Sequence, residues 1–165
     1  MGLRLETNDA ATDPVTGFGS RPALFARLEG AVAPRSDPST LAVFGLDGLE
    51  EFEKQHGSAT TDSLLAQLSR DLARMVRPDG SCFATRRREF CVFFDLPLTE
   101  VRSIVSAAAF SLRRECALAS LSVDLGVARL PDQAQDPVAA LNAADRRLND
   151  SRRTRLRRLA ATGRS

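Results

Sequence analysis

The stretch Thr85–Asp95, TRRREFCVFFD, decides how this chain folds. EFCVFFD (89–95) is aromatic and apolar, and SCFAT (81–85) before it is a second short run of strand formers. Only Arg86, Arg87 and Arg88 separate them. Two strands that close in sequence can pair only as an antiparallel hairpin. Tight bends usually draw on Gly, Asn or Asp, so three arginines in this one demand an explanation.

Outward from the hairpin, helical and strand patterns alternate. Before it, Ser20 is placed to cap a helix with Pro22 in its first turn, and Leu24, Phe25, Leu28 and Val32 recur at helical spacing. APRSDPS then breaks that helix. TLAVFGL (40–46) reads as a buried strand, and a short helix follows over about 48–55. A longer helix begins near Thr60, with Leu64, Leu65, Leu68, Leu72, Met75 and Val76 on one stripe. After the hairpin comes an amphipathic helix carrying Val101, Ile104, Val105, Ala108 and Leu112 inward. ASLSVDLGVARL (119–130) is a strand, and DPVAALNAADRRLNDSRR (136–153) is the last helix. The order αβ(αα)ββαβα predicts an α+β sandwich: a central mixed, mostly antiparallel sheet flanked by helices.

Composition narrows the class. The 165 residues suit one domain, with a flexible N-terminus over 1–11, a folded unit over 12–155 and a basic C-terminal tail over 156–165. Cys82, Cys91 and Cys116 lack metal spacing, and a single histidine argues against a zinc site. Reduced core thiols and the lack of any membrane-length apolar run point to a cytoplasmic protein. Net charge is only +2, so no whole-chain field favours nucleic acid. The basic residues are almost all arginine, and eight of them crowd residues 145–165. No aromatic stands among these arginines to stack a base.

Five blocks carry a resemblance: DPVTGFGSRPALFARL, LAVFGLDGLEEFEKQHGSATTDSLLAQLSRDL, VRPDGSCFATRRREFCVFFD, LSVDLGVARLP and AADRRLNDSR. Their order and spacing resemble the GGDEF, or diguanylate cyclase, domain. That family reads D-P-L-T-G-L-x-N-R, then D-x-D-x-F-K-x-x-N-D-x-x-G-H-x-x-G-D, R-x-x-D, G-G-[DE]-E-F, S-x-G-x-A and A-D-x-A-L-Y-x-A-K. The resemblance spans about residues 12–155. It implies a palm-like, ferredoxin-related sandwich, and an activity that joins two GTP molecules into cyclic di-GMP across a transient homodimer.

The chain departs from the pattern where that chemistry sits. The first Asp of D-x-D, a metal ligand in the family, is Gly45; the second is kept as Asp47. The guanine-reading Asn aligns with Glu53 and its helper with Asp62. The signature aligns with Arg86, Arg87, Arg88, Glu89 and Phe90, so an acidic metal ligand has become Arg88. Arg152 stands for the closing lysine. Of the R-x-x-D inhibitory site only Arg77 is in register, with Asp79 one place early and Gly80 in the last place.

These exchanges weigh against metal. Mg²⁺ is held by carboxylates, and a guanidinium about 4 Å from a dication costs roughly 8 kcal/mol at an effective dielectric near 20. The resemblance therefore implies a catalytically inactive module that binds a guanine nucleotide or cyclic di-GMP through Asp47, Asp62, Arg86, Arg87, Arg88, Glu89 and Arg152. No cofactor is required, and Mg²⁺ would enter only with a nucleotide. Two alternatives stand: a weakly active cyclase with a rearranged metal site, or a basic adaptor for an acidic protein or, less favoured, nucleic acid. A carboxylate at Asp124, on a strand, would need a partner if buried, and one of the arginines is a candidate. Asp47 and Asp62 can also be read as helix caps, and His56 as a surface residue.

Overall fold

The computed structural model describes residues 12–86 and 88–163. The N-terminal segment 1–11 and Arg87 lie outside the described residues. Nine elements follow the predicted order: α1 (Arg21–Ala31), β1 (Ser39–Asp47), α2 (Leu49–His56), α3 (Ser58–Val76), β2 (Gly80–Arg86), β3 (Glu89–Phe94), α4 (Leu98–Leu118), β4 (Ser122–Leu130) and α5 (Pro137–Thr162). Ser20 caps α1, its Oγ accepting from Ala23 N at 3.4 Å. Asp136 caps α5 in the same way at 2.8 Å. The caps supply acceptors for first-turn N–H groups that the helix itself leaves unpaired.

The sheet order is β2-β3-β1-β4, and every strand pair is antiparallel. The one parallel pairing among the described residues is an isolated bridge, Gly19 to Phe83, at the β2 edge. This follows from the connections. The α2–α3 unit carries the chain from β1 to β2, and α4 carries it from β3 to β4. Each crossover joins parallel strands, but a third strand is inserted between them, as in a split βαβ unit.

Strand alternation sorts the core into two halves. Ala42, Phe44 and Leu46 of β1, with Phe90, Val92 and Phe94 of β3, pack against α3 and α4. Leu41, Val43, Cys91 and Phe93 face the other way and meet α1 and α5. Each fully buried Leu or Phe contributes about 1.5–3 kcal/mol relative to exposure. The stripe on α3 is buried at Leu65, Leu68, Leu72 and Val76, as its spacing requires.

The same parity fixes the candidate site. Gly45 and Asp47 share the α5 face with Leu41 and Val43. The register sets Glu89 opposite Gly45 on one side and Asp124 opposite it on the other. Arg86 pairs with Glu89 at the sheet edge. Arg86, Glu89, Gly45 and Asp124 thus form one row across the sheet, roofed by α5.

Candidate functional site

Gly45 is the gap in this row, and α5 fills it. A Cβ at Gly45 would stand 2.9 Å from Leu148 Cδ1, and Leu148 is itself buried. Closer still is the approach at Gly126, two residues along β4 on the same face. A Cβ there would overlap the Ala144 carbonyl oxygen and lie 2.6 Å from Leu148 N. Glycine at 126 therefore allows the α5 backbone to rest on the sheet. This seating aims the next turns of α5 along the strand ends, where Arg152 and Arg155 meet the acidic row.

Asp124 is 1% exposed, and an ionised carboxylate so placed needs a compensating charge. Arg155 supplies it with two bonds, Nε to Oδ1 at 3.1 Å and Nη2 to Oδ2 at 2.9 Å. The same Nη2 donates to Asp47 Oδ2 at 2.9 Å. One guanidinium thus brackets two carboxylates of neighbouring strands. The Arg155 hydrogen bond holds the Asp47 carboxyl below its ordinary range, against the opposing effect of burial. Arg155 is in turn pushed up by Asp124 and Asp47. Arg152 adds a longer ion pair, its Nε 3.5 Å from Asp124 Oδ2.

At the other end of the row the balance reverses. Among the described residues Glu89 has a loose ion pair with Arg86, 3.9 Å apart. Burial, and then the nearby Asp145 carboxylate, push Glu89 above the usual range despite Arg86, Arg152 and Arg21. Asp145, from α5, is raised by burial as well. Its Oδ1 is buried without a hydrogen-bond partner among the described residues. Burial thus disfavours the charged form of both carboxyls.

Two cavities adjoin at Arg86. One, of about 360 Å³, is lined by Leu46, Asp47, Arg86, Arg88, Glu89 and Arg152. The other, also about 360 Å³, is lined by Asp13, Thr16, Asp62, Leu65 and Phe90 among others, with Arg86 again in its wall. A cation-lined chamber thus sits beside a half-apolar one. Arg88 also pairs with Glu50 at the start of α2, and its carbonyl accepts from Leu46 N at 2.7 Å, tying the hairpin tip to β1.

Asp47, Arg86, Arg88, Glu89 and Arg152 are therefore brought together, and Asp62 lines the neighbouring cavity. Arg77 and Asp79 are not part of this group. They lie beyond the opposite end of β2, about 20 Å away at strand rise. Neither aspartate caps a helix by its side chain, which corrects that expectation. Gly48 precedes α2 and Gly57 precedes α3, both without a side-chain cap. Asp47 is turned instead to Arg155, and Asp62 sits a turn inside α3. His56 is exposed and packs on Phe52 at 4.5 Å. Glu53, on α2, does not line the cavity beside Asp62.

Arg155 is the residue that sequence reasoning did not single out. Its signal is its spacing of three from Arg152, which puts both on one helical face, opposite a strand aspartate already known to need a cation.

The chain matches the family described as "Diguanylate cyclase, GGDEF domain" over residues 10–158. It belongs to the GGDEF domain family. Its fold is similar to that of the FimX GGDEF domain from Pseudomonas aeruginosa, with a TM-score of 0.72, 24% identity and coverage of 87% of this chain and 94% of that one. The coiled coil and GGDEF domain of DgcB from Caulobacter crescentus, in complex with c-di-GMP, gives 0.79 at 21% identity, covering 92% and 85%. The diguanylate cyclase SiaD from Pseudomonas aeruginosa, in complex with its activator SiaC, gives 0.76 at 20% identity, covering 92% and 62%. At these identities the likeness is one of fold. No curated protein sequence matches the chain. Among the described residues no helix is long and apolar enough to cross a membrane.

Proposed function

We propose that this chain is a non-catalytic member of the GGDEF family, a regulatory module that binds a guanine nucleotide or cyclic di-GMP through arginines and does not join two GTP molecules. The observation that carries this reading is the donor set of the chamber between Asp47 and Glu89. Its walls present Arg86, Arg88 and Arg152. Where the family pattern has two metal-holding acids, this chain has Gly45, filled over by Leu148, and Arg88. Asp47 is engaged by Arg155, and burial disfavours the charged form of Glu89. Such a set does not fit Mg²⁺, which asks for ionised oxygens in octahedral array.

The same set does fit phosphate oxygens. Guanidinium groups bind them as bidentate forks without a metal. The adjoining cavity beside Asp62 and Phe90 offers a carboxylate and an apolar wall to a base. The c-di-GMP complex of DgcB and the activator complex of SiaD support a nucleotide ligand and a protein partner as the classes to test first. The cytoplasm, with its nucleotide pool, is the compartment this reading requires.

Calorimetric titration with GTP, GDP and cyclic di-GMP, with and without Mg²⁺, tests it. Binding of at least one of them, unchanged by metal and weakened by Arg86→Gln or Arg152→Gln, is the expected result. Silence with all three rules out the nucleotide-binding part. Formation of cyclic di-GMP from GTP with Mg²⁺ or Mn²⁺, lost in Asp47→Asn or Glu89→Gln, would establish the weak cyclase instead.

A further inference from the structure

A further cavity lies on the other side of the Arg155 bracket. It is a cleft of about 540 Å³ between the last turns of α5, the C-terminal half of α4 and the start of β4. Val123 and Asp124 form its floor; Arg113 stands on the α4 wall, and Arg155, Arg158 and Leu159 on the α5 wall. Nothing in the nucleotide reading uses it.

Its charges are unevenly committed. Arg155 is taken up by Asp47 and Asp124. Arg113 is held in place by one bond, Nε to the Val123 carbonyl at 3.3 Å. That bond leaves its two terminal nitrogens, the ends of the fork, without an acceptor among the described residues. Arg158 makes no ion pair among them either. The cleft therefore presents two uncompensated guanidinium groups, one of them already oriented, against a floor whose single carboxylate is neutralised.

Exposed apolar side chains stand on the same two helices, one of them in the cleft wall. Leu159 in its wall is 58% exposed, and Leu156, one turn earlier on α5, is 49% exposed. Phe110, one turn before Arg113 on α4, is 63% exposed, with Arg114 over its ring at 5.9 Å. Arginine beside exposed Leu and Phe is the composition of a protein-binding surface. A lone small anion would use the guanidinium pair but leave Leu159 bare. A nucleic acid would find no aromatic platform within the cleft.

We propose that this cleft docks an acidic segment of a partner protein, whose carboxylates engage Arg113 and Arg158 and whose apolar side chains cover Leu159. Carboxylates complement the two forks in charge and in planar geometry. The Arg155 bracket keeps the α5 wall in position whether or not anything is bound.

A fluorescent peptide of alternating glutamate and leucine, followed by anisotropy against the full chain, tests this. The peptide should bind, and binding should weaken as salt rises. A peptide with glutamine in place of glutamate should not bind. The double variant Arg113→Gln/Arg158→Gln should lose at least about tenfold in affinity, as expected when charge-assisted bonds are removed, with an unchanged melting temperature. Arg102→Gln, also on α4 but outside the cleft, should bind like the parent. No binding of the acidic peptide, equal binding by the double variant, or capture of a single-stranded oligonucleotide in preference to the peptide would each overturn the proposal. Nucleotide titrations of the double variant should match the parent, because Arg113 and Arg158 lie outside the Asp47–Glu89 chamber. Failure here and failure of the nucleotide reading are therefore separate results.

Discussion

Arg155 does at the level of one side chain what a bound cation would otherwise do: it neutralises two carboxylates that the sheet brings together. Removing it leaves Asp124 charged and buried. Arg155→Gln should lower the unfolding free energy by about 2 kcal/mol, below the 3–5 kcal/mol of a fully buried pair because Arg155 is partly exposed and Arg152 stands nearby. Urea denaturation measures this. Adding Asp124→Asn to that variant should recover much of the loss, since the orphaned charge is then gone. The pH dependence has a definite sign. Asp47 has a folded pKa below its unfolded one, so its contribution is present above the unfolded value and fades as pH falls through the folded value. The cost of Arg155→Gln should therefore be largest near neutrality and shrink in acid. Glu89 behaves oppositely. Its folded pKa is raised, chiefly by burial, so the fold holds its proton more tightly and ionisation takes stability away as pH climbs past the unfolded value. Glu89→Gln should thus melt higher than the parent at pH 7, and the difference should close as pH approaches 4, a comparison that calorimetric scans at two pH values provide.

At the scale of elements, the site depends on how closely α5 lies on the sheet. Gly126→Ala drives a methyl into the Ala144 carbonyl, a backbone atom with nowhere to turn. It should cost about 3 kcal/mol or more, at the upper end of overpacking. Gly45→Ala meets the end of the Leu148 side chain, which can rotate, and should cost only about 1 kcal/mol. Chemical denaturation of the two variants checks the ranking, and a smaller loss at Gly126 would mean that α5 is not seated as described. This seating also marks where the sequence stops being legible. The elements could be read because each carries its own period: the α3 stripe at Leu65, Leu68, Leu72 and Val76, and the aromatic alternation of β3. The acids lost at Gly45 and gained as arginine at Arg88 could be read because the resemblance supplies a register. The bracket could not, because it joins residues 108 apart in the chain through the rotation of α5 about its own axis. That rotation is fixed by two glycines and a leucine whose individual meaning appears only when strand and helix are superposed. The rise at Glu89 was hidden for the same reason, since the Asp145 charge that adds to it comes from α5.

The whole molecule is one sheet shared by two half-cores, and the three thiols report on both. Cys116 is buried on α4 in the half packed by α3 and α4, and Cys91 is buried on β3 in the half covered by α1 and α5. Burial pushes both thiols up to about 12, as it does Cys82, so little thiolate exists at pH 8 and alkylation of the native chain should be slow. What matters is which conformation admits the reagent. If the α1/α5 layer could lift from the sheet alone, Cys91 would become reactive while Cys116 stayed protected. The shared strands argue against that. Val43 and Phe44, adjacent in β1, point into opposite halves, so stripping one face withdraws support from strands on which the other depends. The Arg155 bracket adds a tie from α5 to β1 and β4 together. Iodoacetamide labelling across a urea series, read site by site by mass spectrometry, should therefore give one midpoint for Cys91 and Cys116, coincident with the loss of helical circular dichroism. In Arg155→Gln the two midpoints should move down together. An earlier midpoint for Cys91 alone would show that α5 is a separable layer, and that the arginine chamber and the acidic-peptide cleft on either side of the bracket open independently of the rest of the fold.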